Sequence, residues 1–281
     1  MQFGIGQPNP RTEDPRLVRG LGRYADDVNL IGQLYGVAVR SPHAHAALGA
    51  IDASLALDAP GVVMVLTAAD LGAAGIGPMP SRVTLKNSDG SEMPDIPHPV
   101  LPADCVRHVG EPVAFVIAET AEAARDAAEL VEVDYDPLDP AIGTAQALEP
   151  GAPQIWPQVR GNEILRWEIG DADATRRALA QAAYVVDLEV DNNRVVVAPM
   201  EPRAAVGEHD PVSGRYTLHV CSQGAHKLAD PLARTLGIPG SDLRVLTGDV
   251  GGAFGMKNFL FHEYVLVLLA AQRLGRPVKW T

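Results

Sequence analysis

The sequence predicts a mixed α/β (α+β) fold arranged in two domains. Residues 111–135 read in order as an apolar strand, an alanine-rich helix and a second strand. Strand-like and helix-like segments alternate again in the last part of the chain, after a stretch rich in proline and glycine. Such a stretch is typical of a domain boundary. We therefore expect a first domain at residues 1–137, a linker at 138–161 and a second domain at 162–281.

Apolar runs in the first domain predict its strands. The expected strands are residues 33–40, 61–67, 111–118 and 132–135. A short helix is expected to start at residues 68–71, and Thr120 is a suitable N-cap for a helix at 122–131. The strand–helix–strand order indicates a βαβ crossover. Residues 72–102 are rich in glycine, proline, serine and aspartate, which predicts a long loop.

The second domain is predicted from the same kinds of pattern. Its expected helices are residues 171–183, 225–236 and 258–274, and its expected strands are 184–190, 204–207, 215–221, 243–246 and the opening of one at 276–281. Gly237 and Gly275 stand where helices commonly end. The last helix is apolar around most of its surface, which is typical of a buried core helix. Because the chain ends inside an apolar strand, we expect it to be the front portion of a longer subunit.

Charge and composition exclude several classes of partner. The chain has 281 residues, is 47% hydrophobic and carries a formal net charge of -12 without a basic cluster. This composition argues against nucleic acid and against an anionic membrane surface, since both need positive charge. Residues 1–11 lack the apolar run of a secretory signal, and the longest apolar stretch, 264–271, is too short to span a bilayer. We expect a cytoplasmic protein.

Cysteine and histidine give no metal pattern. Cys105 and Cys221 are far apart in the sequence, so a disulfide framework is not expected. An iron–sulfur cluster needs about four Cys or His ligands, so any cluster must lie on another chain. The histidines show no metal-binding spacing and are expected in surface or capping roles.

The most specific motif is a glycine-rich loop at residues 248–257, Gly-Asp-Val-Gly-Gly-Ala-Phe-Gly-Met-Lys. It lies between an expected strand and a long expected helix, where successive backbone N–H groups can hold an anion. It lacks the patterns of a nucleotide P-loop and of a dinucleotide fingerprint. A tight turn without a ligand is the alternative interpretation.

Two further motifs precede this loop. Gln223, in residues 221–226 at a strand end, can donate an amide hydrogen to an oxygen ligand, or else cap the following helix. Residues 198–205 place Pro199 and Pro202 around Met-Glu, which predicts a rigid corner. Glu201 in that corner is expected to pair with a nearby cation.

In this order, the motifs closely resemble the large subunit of the molybdenum hydroxylases, the xanthine dehydrogenase and aldehyde oxidase family. The resemblance rests on residues 197–203, 222–224, 251–257 and 275–280. Residues 18–27 and 40–44 also resemble the entry to the α/β-hammerhead domain of that family. The resemblance implies a hammerhead domain followed by an incomplete first molybdopterin-binding domain.

The resemblance also implies roles for individual residues. Gln223 matches the glutamine that donates a hydrogen bond to an oxygen ligand of molybdenum. The loop whose backbone lies against the cofactor is matched by Gly252, Ala253, Phe254 and Gly255. Phe254 would also border the substrate, and we expect Gln223 to reach the same pocket from the neighbouring strand end. Ala253 replaces a more usual glycine, which is tolerable if its φ is negative.

The implied cofactor is molybdopterin, with the cytosine dinucleotide form as one option, and the implied partners are a [2Fe-2S] subunit, an FAD subunit and the remaining C-terminal half. The implied reaction hydroxylates a carbon centre with oxygen from water. Asn258 follows Lys257 where purine-oxidising members carry an acidic residue, which disfavours xanthine and favours an aldehyde, an N-heterocycle or another small aromatic.

No catalytic residue and no protein metal ligand are assigned to this chain. The resemblance implies that the catalytic glutamate lies in the second half of the subunit and that pterin sulfurs hold the metal. Glu201 and Glu263 are expected to be structural. Two alternatives remain: a non-catalytic half of a split subunit that completes the cofactor cavity, and a nucleotide-binding α/β enzyme.

Overall fold

A computed structural model describes residues 6, 8, 10–81, 83–96 and 98–281, and structural statements below concern these residues. Most of the polar start at residues 1–11, on which the expectation about a secretory signal depends, lies outside the described residues. The described strands are β1 (Leu34–Arg40), β2 (Ala46–Asp52), β3 (Val62–Thr67), β4 (Cys105–Val106), β5 (Pro112–Ala118), β6 (Glu132–Pro137), β7 (Ala205–Asp210), β8 (Arg215–Val220), β9 (Leu243–Leu246) and β10 (Val278–Trp280).

The helices of the described residues are α1 (Asp14–Leu17), α2 (Ser54–Asp58), α3 (Ala68–Ala73), α4 (Ala121–Ala128), α5 (Ala172–Gln181), α6 (Ala225–Leu236) and α7 (His262–Leu274). Short 3-10 turns occur at Ala25–Asp27, Gln146–Leu148, Arg160–Asn162, Gly240–Asp242 and Met256–Asn258. In the described part of the chain, no helix combines the length and the apolar character that a bilayer crossing requires.

Most of the strands form one seven-stranded sheet, in the order β3-β5-β1-β10-β7-β8-β9. The pairs β1–β10 and β8–β9 are parallel, and the other neighbours are antiparallel. A smaller antiparallel sheet has the order β4-β2-β6. The large sheet therefore joins strands from both sides of the expected linker, through the pairing of β1 with β10.

Both faces of the large sheet are covered by helices. Strand β5 is buried along its whole length, because Phe115 and Ile117 join the main core cluster while Ala114 and Val116 join a second cluster that includes Ala127 of α4. The main cluster also contains the buried apolar residues of α7, which confirms a core helix at this position. Burial of both faces explains why the strand reads as a continuous apolar run.

Helix α7 lies directly on strand β7. A Cβ atom added at Gly207 would come within 2.8 Å of the backbone of Val267. Glycine at this position therefore allows a close helix–sheet approach. The helix begins at His262 and not at residue 258, because Phe261 is extended (φ -116°, ψ 153°) and acts as the N-cap residue. Gly275 ends it in the left-handed conformation, as expected.

The expected βαβ crossover is wrong. Helix α4 forms with Thr120 as its N-cap, whose hydroxyl oxygen accepts a hydrogen bond from the N–H of Ala123. The flanking strands, however, enter different sheets: β5 pairs with β1 and β3, whereas β6 pairs antiparallel with β2. A strand–helix–strand order does not determine which neighbour each strand chooses.

Other differences from the sequence-based expectations concern which strands and helices form and where they end. Residues 184–190, expected as a strand, form no strand and are exposed, since no neighbouring strand in the described residues offers them backbone partners. Strands β2 and β4 and helix α1 were not anticipated from the sequence. Strand β9 and helix α6 occur at the expected bounds, and β7 extends three residues further than expected, to Asp210.

Candidate functional site

The three motifs meet at one edge of the large sheet. Strands β8 and β9 are parallel, with His219 opposite Leu246, so the segments that follow them leave the sheet side by side. The hydroxyl groups of Ser222 and Thr247 lie 2.8 Å apart at this point. Strand β7 runs antiparallel to β8 and starts at Ala205, which brings the corner at residues 198–204 to the same edge.

Gln223 contacts the glycine-rich loop directly. Its backbone N–H donates to the carbonyl oxygen of Lys257 at 2.9 Å, and its side chain is exposed. Gln223 therefore lies next to the end of the loop, and its expected reach into a pocket at Phe254 stays a prediction. The capping interpretation is wrong, because the N-cap of α6 is Gly224 and no side chain caps that helix.

The loop backbone has an unusual conformation at its apex. Gly252 and Gly255 have φ values of 94° and 90°, and Phe254 has a φ of 50°, in the left-handed region that non-glycine residues rarely adopt. A Cβ at Gly252 would lie 3.0 Å from the Phe254 ring and 3.3 Å from Cβ of Pro199. Ala253 lies outside the positive-φ region, which meets the condition stated for its methyl group.

Several backbone amides of the apex, residues 252–255, have no acceptor among the described residues. The N–H of Met256 donates to the carbonyl of Ala253 at 2.9 Å, which closes a turn. Among the described residues, no hydrogen bond is donated by the amides of Gly252, Ala253, Phe254 and Gly255. Phe254 is 78% exposed, so this row of donors lies at the surface. Successive backbone N–H groups in a turn that combines right-handed and left-handed conformations can form an anion-binding concavity.

Glu201 and Lys257 form a buried ion pair beneath the loop. Lys257 Nζ donates to Oε2 of Glu201 at 2.7 Å, and the two residues are 1% and 6% exposed. The same carboxylate accepts the N–H of Gly251 at 2.8 Å and that of Ala25 at 3.2 Å. The expectation that Glu201 pairs with a cation is confirmed, and the cation is Lys257.

An N-terminal segment closes the other side of the loop. Arg16 binds both carboxylate oxygens of Asp249, at 2.7 and 2.6 Å, and the N–H of Arg23 donates to the same carboxylate at 2.7 Å. The hydrogen bond from Arg16 is the larger cause, and that from Arg23 the smaller, of a pKa for Asp249 that is lowered from 3.8 to about 2. Asp249 was part of the quoted motif, but nothing in the sequence indicated Arg16 as its partner.

Glu263, the second acidic residue near the motifs, is buried in an ion-pair network. Its carboxylate lies 2.5 Å from Arg40 and 3.5 Å from Arg203. The guanidinium of Arg203 also stacks 3.9 Å from the ring centre of Phe261. This network attaches the corner after Glu201 to the start of α7.

The described residues contain no group of three or more His, Cys, Asp or Glu side chains arranged to hold a metal ion. Both cysteines are free thiols, and burial raises the pKa of Cys221, which packs beneath the corner against Ala204. His262 departs from the expected surface or capping role, because its Nδ1 lies 2.8 Å from the carbonyl oxygen of Val100 and burial lowers its pKa.

Comparison with known protein families assigns the two parts of the chain separately. Residues 19–139 match the family model described as aldehyde oxidase and xanthine dehydrogenase, a/b hammerhead domain. Residues 155–281 match the molybdopterin cofactor-binding domain. Both matched regions contribute strands to the large sheet, and the second contains Gln223 and the glycine-rich loop.

Individual relatives agree with this assignment. The chain is 37% identical to the carbon monoxide dehydrogenase large chain of Afipia carboxidovorans over 99% of its length, and to the nicotine 6-hydroxylase large subunit of Paenarthrobacter nicotinovorans over 98%. These alignments cover 34% and 33% of the two relatives, so the chain spans about a third of their length.

A solved structure gives the same result for the fold. Quinoline 2-oxidoreductase from Pseudomonas putida 86 superposes with a TM-score of 0.87 and 34% identity, over 98% of this chain and 34% of that one. The chain therefore belongs to the xanthine dehydrogenase and aldehyde oxidase family of molybdenum hydroxylases, and residues 155–281 are its molybdopterin cofactor-binding domain.

Proposed function

We propose that Gln223, Gly252, Ala253, Phe254 and Gly255 form part of the molybdenum cofactor site of a hydroxylase subunit. The main supporting observation is the hydrogen bond from Gln223 N–H to Lys257 O, which joins a residue with an exposed side chain to the end of the loop that contains the open amides. An amide side chain and a row of backbone donors suit a ligand with oxygen acceptors and phosphate.

The residues present fit such a group. The amides of residues 252–255 have no acceptor among the described residues, and a Cβ at Gly255 would meet no atom within 4 Å, so the backbone is approachable there. The side-chain amide of Gln223 donates to an oxygen of the bound group and orients it. When bound, the cofactor supplies the redox centre for hydroxylation with oxygen from water.

Phe254 borders the substrate in this proposal. Its exposed ring offers an apolar wall that excludes water and orients a flat or apolar substrate. Asn258, next to the buried Lys257, carries a neutral amide and cannot act as an acid or an anion toward a purine. The proposed substrates are an aldehyde, an N-heterocycle or a similar small molecule.

The proposal extends to the complex in which the chain works. The relatives are named as a large chain or a large subunit, which supports a heteromeric enzyme. The proposed complex is cytoplasmic and carries [2Fe-2S] and FAD on partner subunits. The remaining part of the cofactor subunit would supply the catalytic glutamate, so the isolated chain would be inactive. Mass spectrometry of the extracted cofactor tests whether it carries the cytosine dinucleotide.

The scaffold alternative, a non-catalytic half of a split subunit, draws on one observation. Residues 184–200 expose several large apolar side chains, including Tyr184, Val186, Val196 and Met200. Such a surface is typical of a segment that packs against another part of an assembly. A nucleotide-binding enzyme is disfavoured, because the amine of the loop lysine is already committed to Glu201 and is not accessible to a phosphate.

Metal analysis and one substitution test the proposal. In the complex co-expressed with its genomic neighbours, we expect close to one molybdenum per complex. Gln223→Ala should lower kcat by about 100- to 1000-fold, as the loss of one oriented donor does elsewhere. Gln272→Ala, at an exposed position near the end of α7, is the matched control. A complex without molybdenum, or an unchanged rate for the Gln223 variant, would refute the assignment.

A further inference from the structure

We infer that Glu201 and Lys257 are positioning residues that hold the glycine-rich loop and Gln223 in one arrangement. This inference rests on the proposed function in its final step only. The pair is separated by 56 positions in sequence and is almost completely buried, with Nζ and Oε2 2.7 Å apart. Neither residue reaches the exposed apex, so any effect on the site must act through the loop backbone.

The burial of this ion pair needs a reason other than stability. Removing two charges from water costs about as much as their attraction returns, and apolar replacements of buried pairs are often neutral or stabilising. Buried polar pairs can instead select one arrangement of the chain among several. The hydrogen bonds of this pair indicate what it selects, because they converge at Gly251 and Lys257, on the two sides of the loop apex at residues 252–255.

Before the loop apex, Glu201 and Gly251 are joined by two hydrogen bonds, one donated by each residue. Oε2 accepts the N–H of Gly251 at 2.8 Å, and the backbone N–H of Glu201 donates to the carbonyl of Gly251 at 3.1 Å. A Cβ at Gly251 would lie 2.6 Å from Cβ of Glu201, so the two backbones are in close contact. The other oxygen, Oε1, accepts from Ala25 and ties the N-terminal segment to the same point.

At the end of the loop, Lys257 connects this buried Glu201–Lys257 pair, which we call the clamp, to Gln223. Its ammonium is held by Glu201, and its carbonyl accepts the backbone N–H of Gln223 at 2.9 Å. One carboxylate therefore relates the position of Gly251, the position of Lys257 and, through Lys257, that of Gln223. The prolines at 199 and 202 restrict the backbone on both sides of Glu201.

The apex between these ends has little support of its own. Its internal backbone bond is that from Met256 to Ala253, and the amides of residues 252–255 have no acceptor in the described chain. The Arg16–Asp249 pair lies before the loop apex, and the Arg16 side chain is 43% exposed, so solvent weakens that contact. The arrangement of the apex thus depends on the buried clamp.

Hydrogen exchange of the full chain without cofactor tests the clamp. In Lys257→Met and in the doubly neutral Glu201→Gln/Lys257→Met, we expect the amides of Gly251 and Gln223 to exchange about tenfold faster or more. The doubly neutral variant should keep its melting temperature within about 3 °C, because both charges leave together. The matched control is Arg273→Met, which removes the Arg273–Asp70 pair away from the loop.

The outcomes separate a positioning role from a merely structural one. Faster exchange confined to the loop and Gln223, with α7 and β8 unchanged and the control silent, supports the clamp. Unchanged loop exchange in the double variant, or an equal increase in α7 and β8, overturns it. Molybdenum retention by the assembled complex is measured separately. The exchange test could support the clamp while the Lys257→Met and Glu201→Gln/Lys257→Met complexes retain molybdenum fully. That result would refute the proposed cofactor site and not the clamp.

Discussion

At the scale of single residues, Phe254 has a backbone conformation that glycine adopts more easily, with φ at 50° and the ring mostly exposed. A non-glycine residue held in the left-handed region costs about 1–2 kcal/mol. Strain of this kind persists where surrounding contacts impose it, and it occurs often at functional sites. Here the hydrogen bonds of Gly251 and Lys257 to Glu201 flank the strained residue on both sides.

Replacing Phe254 separates conformational cost from function. We predict that Phe254→Gly changes the free energy of unfolding by less than about 1 kcal/mol, because relief of strain offsets the greater freedom of the unfolded chain. Turnover of the assembled enzyme should fall, since the apolar wall is lost. Chemical denaturation and steady-state kinetics measure the two effects, and a variant with full activity would contradict the proposed role of the ring.

Asp249 provides a pH-dependent test of the N-terminal contact. Its pKa is lowered from 3.8 to about 2, so its contribution to stability is present above pH 3.8 and is lost as the pH falls through about 2. Arg16→Ala should raise the pKa of Asp249 toward 3.8, measured by NMR titration of its carboxyl carbon. Arg11→Ala is the control, because Arg11 pairs with Asp14. An Asp249 pKa that stays near 2 in the Arg16 variant would contradict the assignment.

At the scale of elements, contact between β7 and α7 depends on the absence of one side chain. Gly207→Ala would place a methyl group 2.8 Å from the backbone of Val267, which cannot move without shifting the helix. We predict a loss of about 1–3 kcal/mol in the free energy of unfolding. Gly72→Ala, where a Cβ meets nothing within 4 Å, is the control and should be neutral or stabilising. Equal stabilities of the two variants would show that α7 is free to shift.

The elements were predictable where the apolar pattern was strong. β9, α6 and the buried part of α7 follow the sequence pattern closely. Strand β2 was missed because its sequence, Ala-Ala-Leu-Gly-Ala-Ile-Asp, consists mostly of small residues without clear alternation. Residues 184–190 alternate like a strand, but strand formation needs a hydrogen-bonding neighbour that the local sequence does not specify.

The site was predictable in outline. The order of the motifs led to the expectation that Gln223 and the loop meet, and the parallel pairing of β8 and β9 is the physical reason that they do. The sequence also indicated a cation beside Glu201, but the identity of Lys257 depends on a contact across 56 positions. The Arg16–Asp249 pair spans 233 positions and left no local pattern.

At the scale of the whole molecule, the large sheet contains strands from both sides of the predicted linker. Strand β10 lies between β1 and β7, and the main core cluster combines Leu34 and Phe115 with Leu218 and Val278. The boundary at residues 138–161 remains a prediction about sequence segments. The segments before and after this boundary share one core, so neither segment can bury its apolar surface alone.

Separate expression of the two segments tests this shared core. We predict that residues 1–137 and 162–281, expressed alone, give poorly dispersed NMR spectra, because each loses the partner strands of the central sheet. Mixing them should restore dispersion toward that of the full chain, which is the control. A well-dispersed spectrum from either segment alone would show an independent domain and contradict the prediction.

The most direct test of the cofactor site is the position of molybdenum in crystals of the assembled complex, located by its anomalous scattering. We predict that the metal lies beside Gln223, with the side-chain amide about 3 Å from an oxygen of the cofactor and the pterin against the backbone of residues 252–255. A metal position on another face of the sheet, with Gln223 and the loop in contact with solvent only, would contradict it.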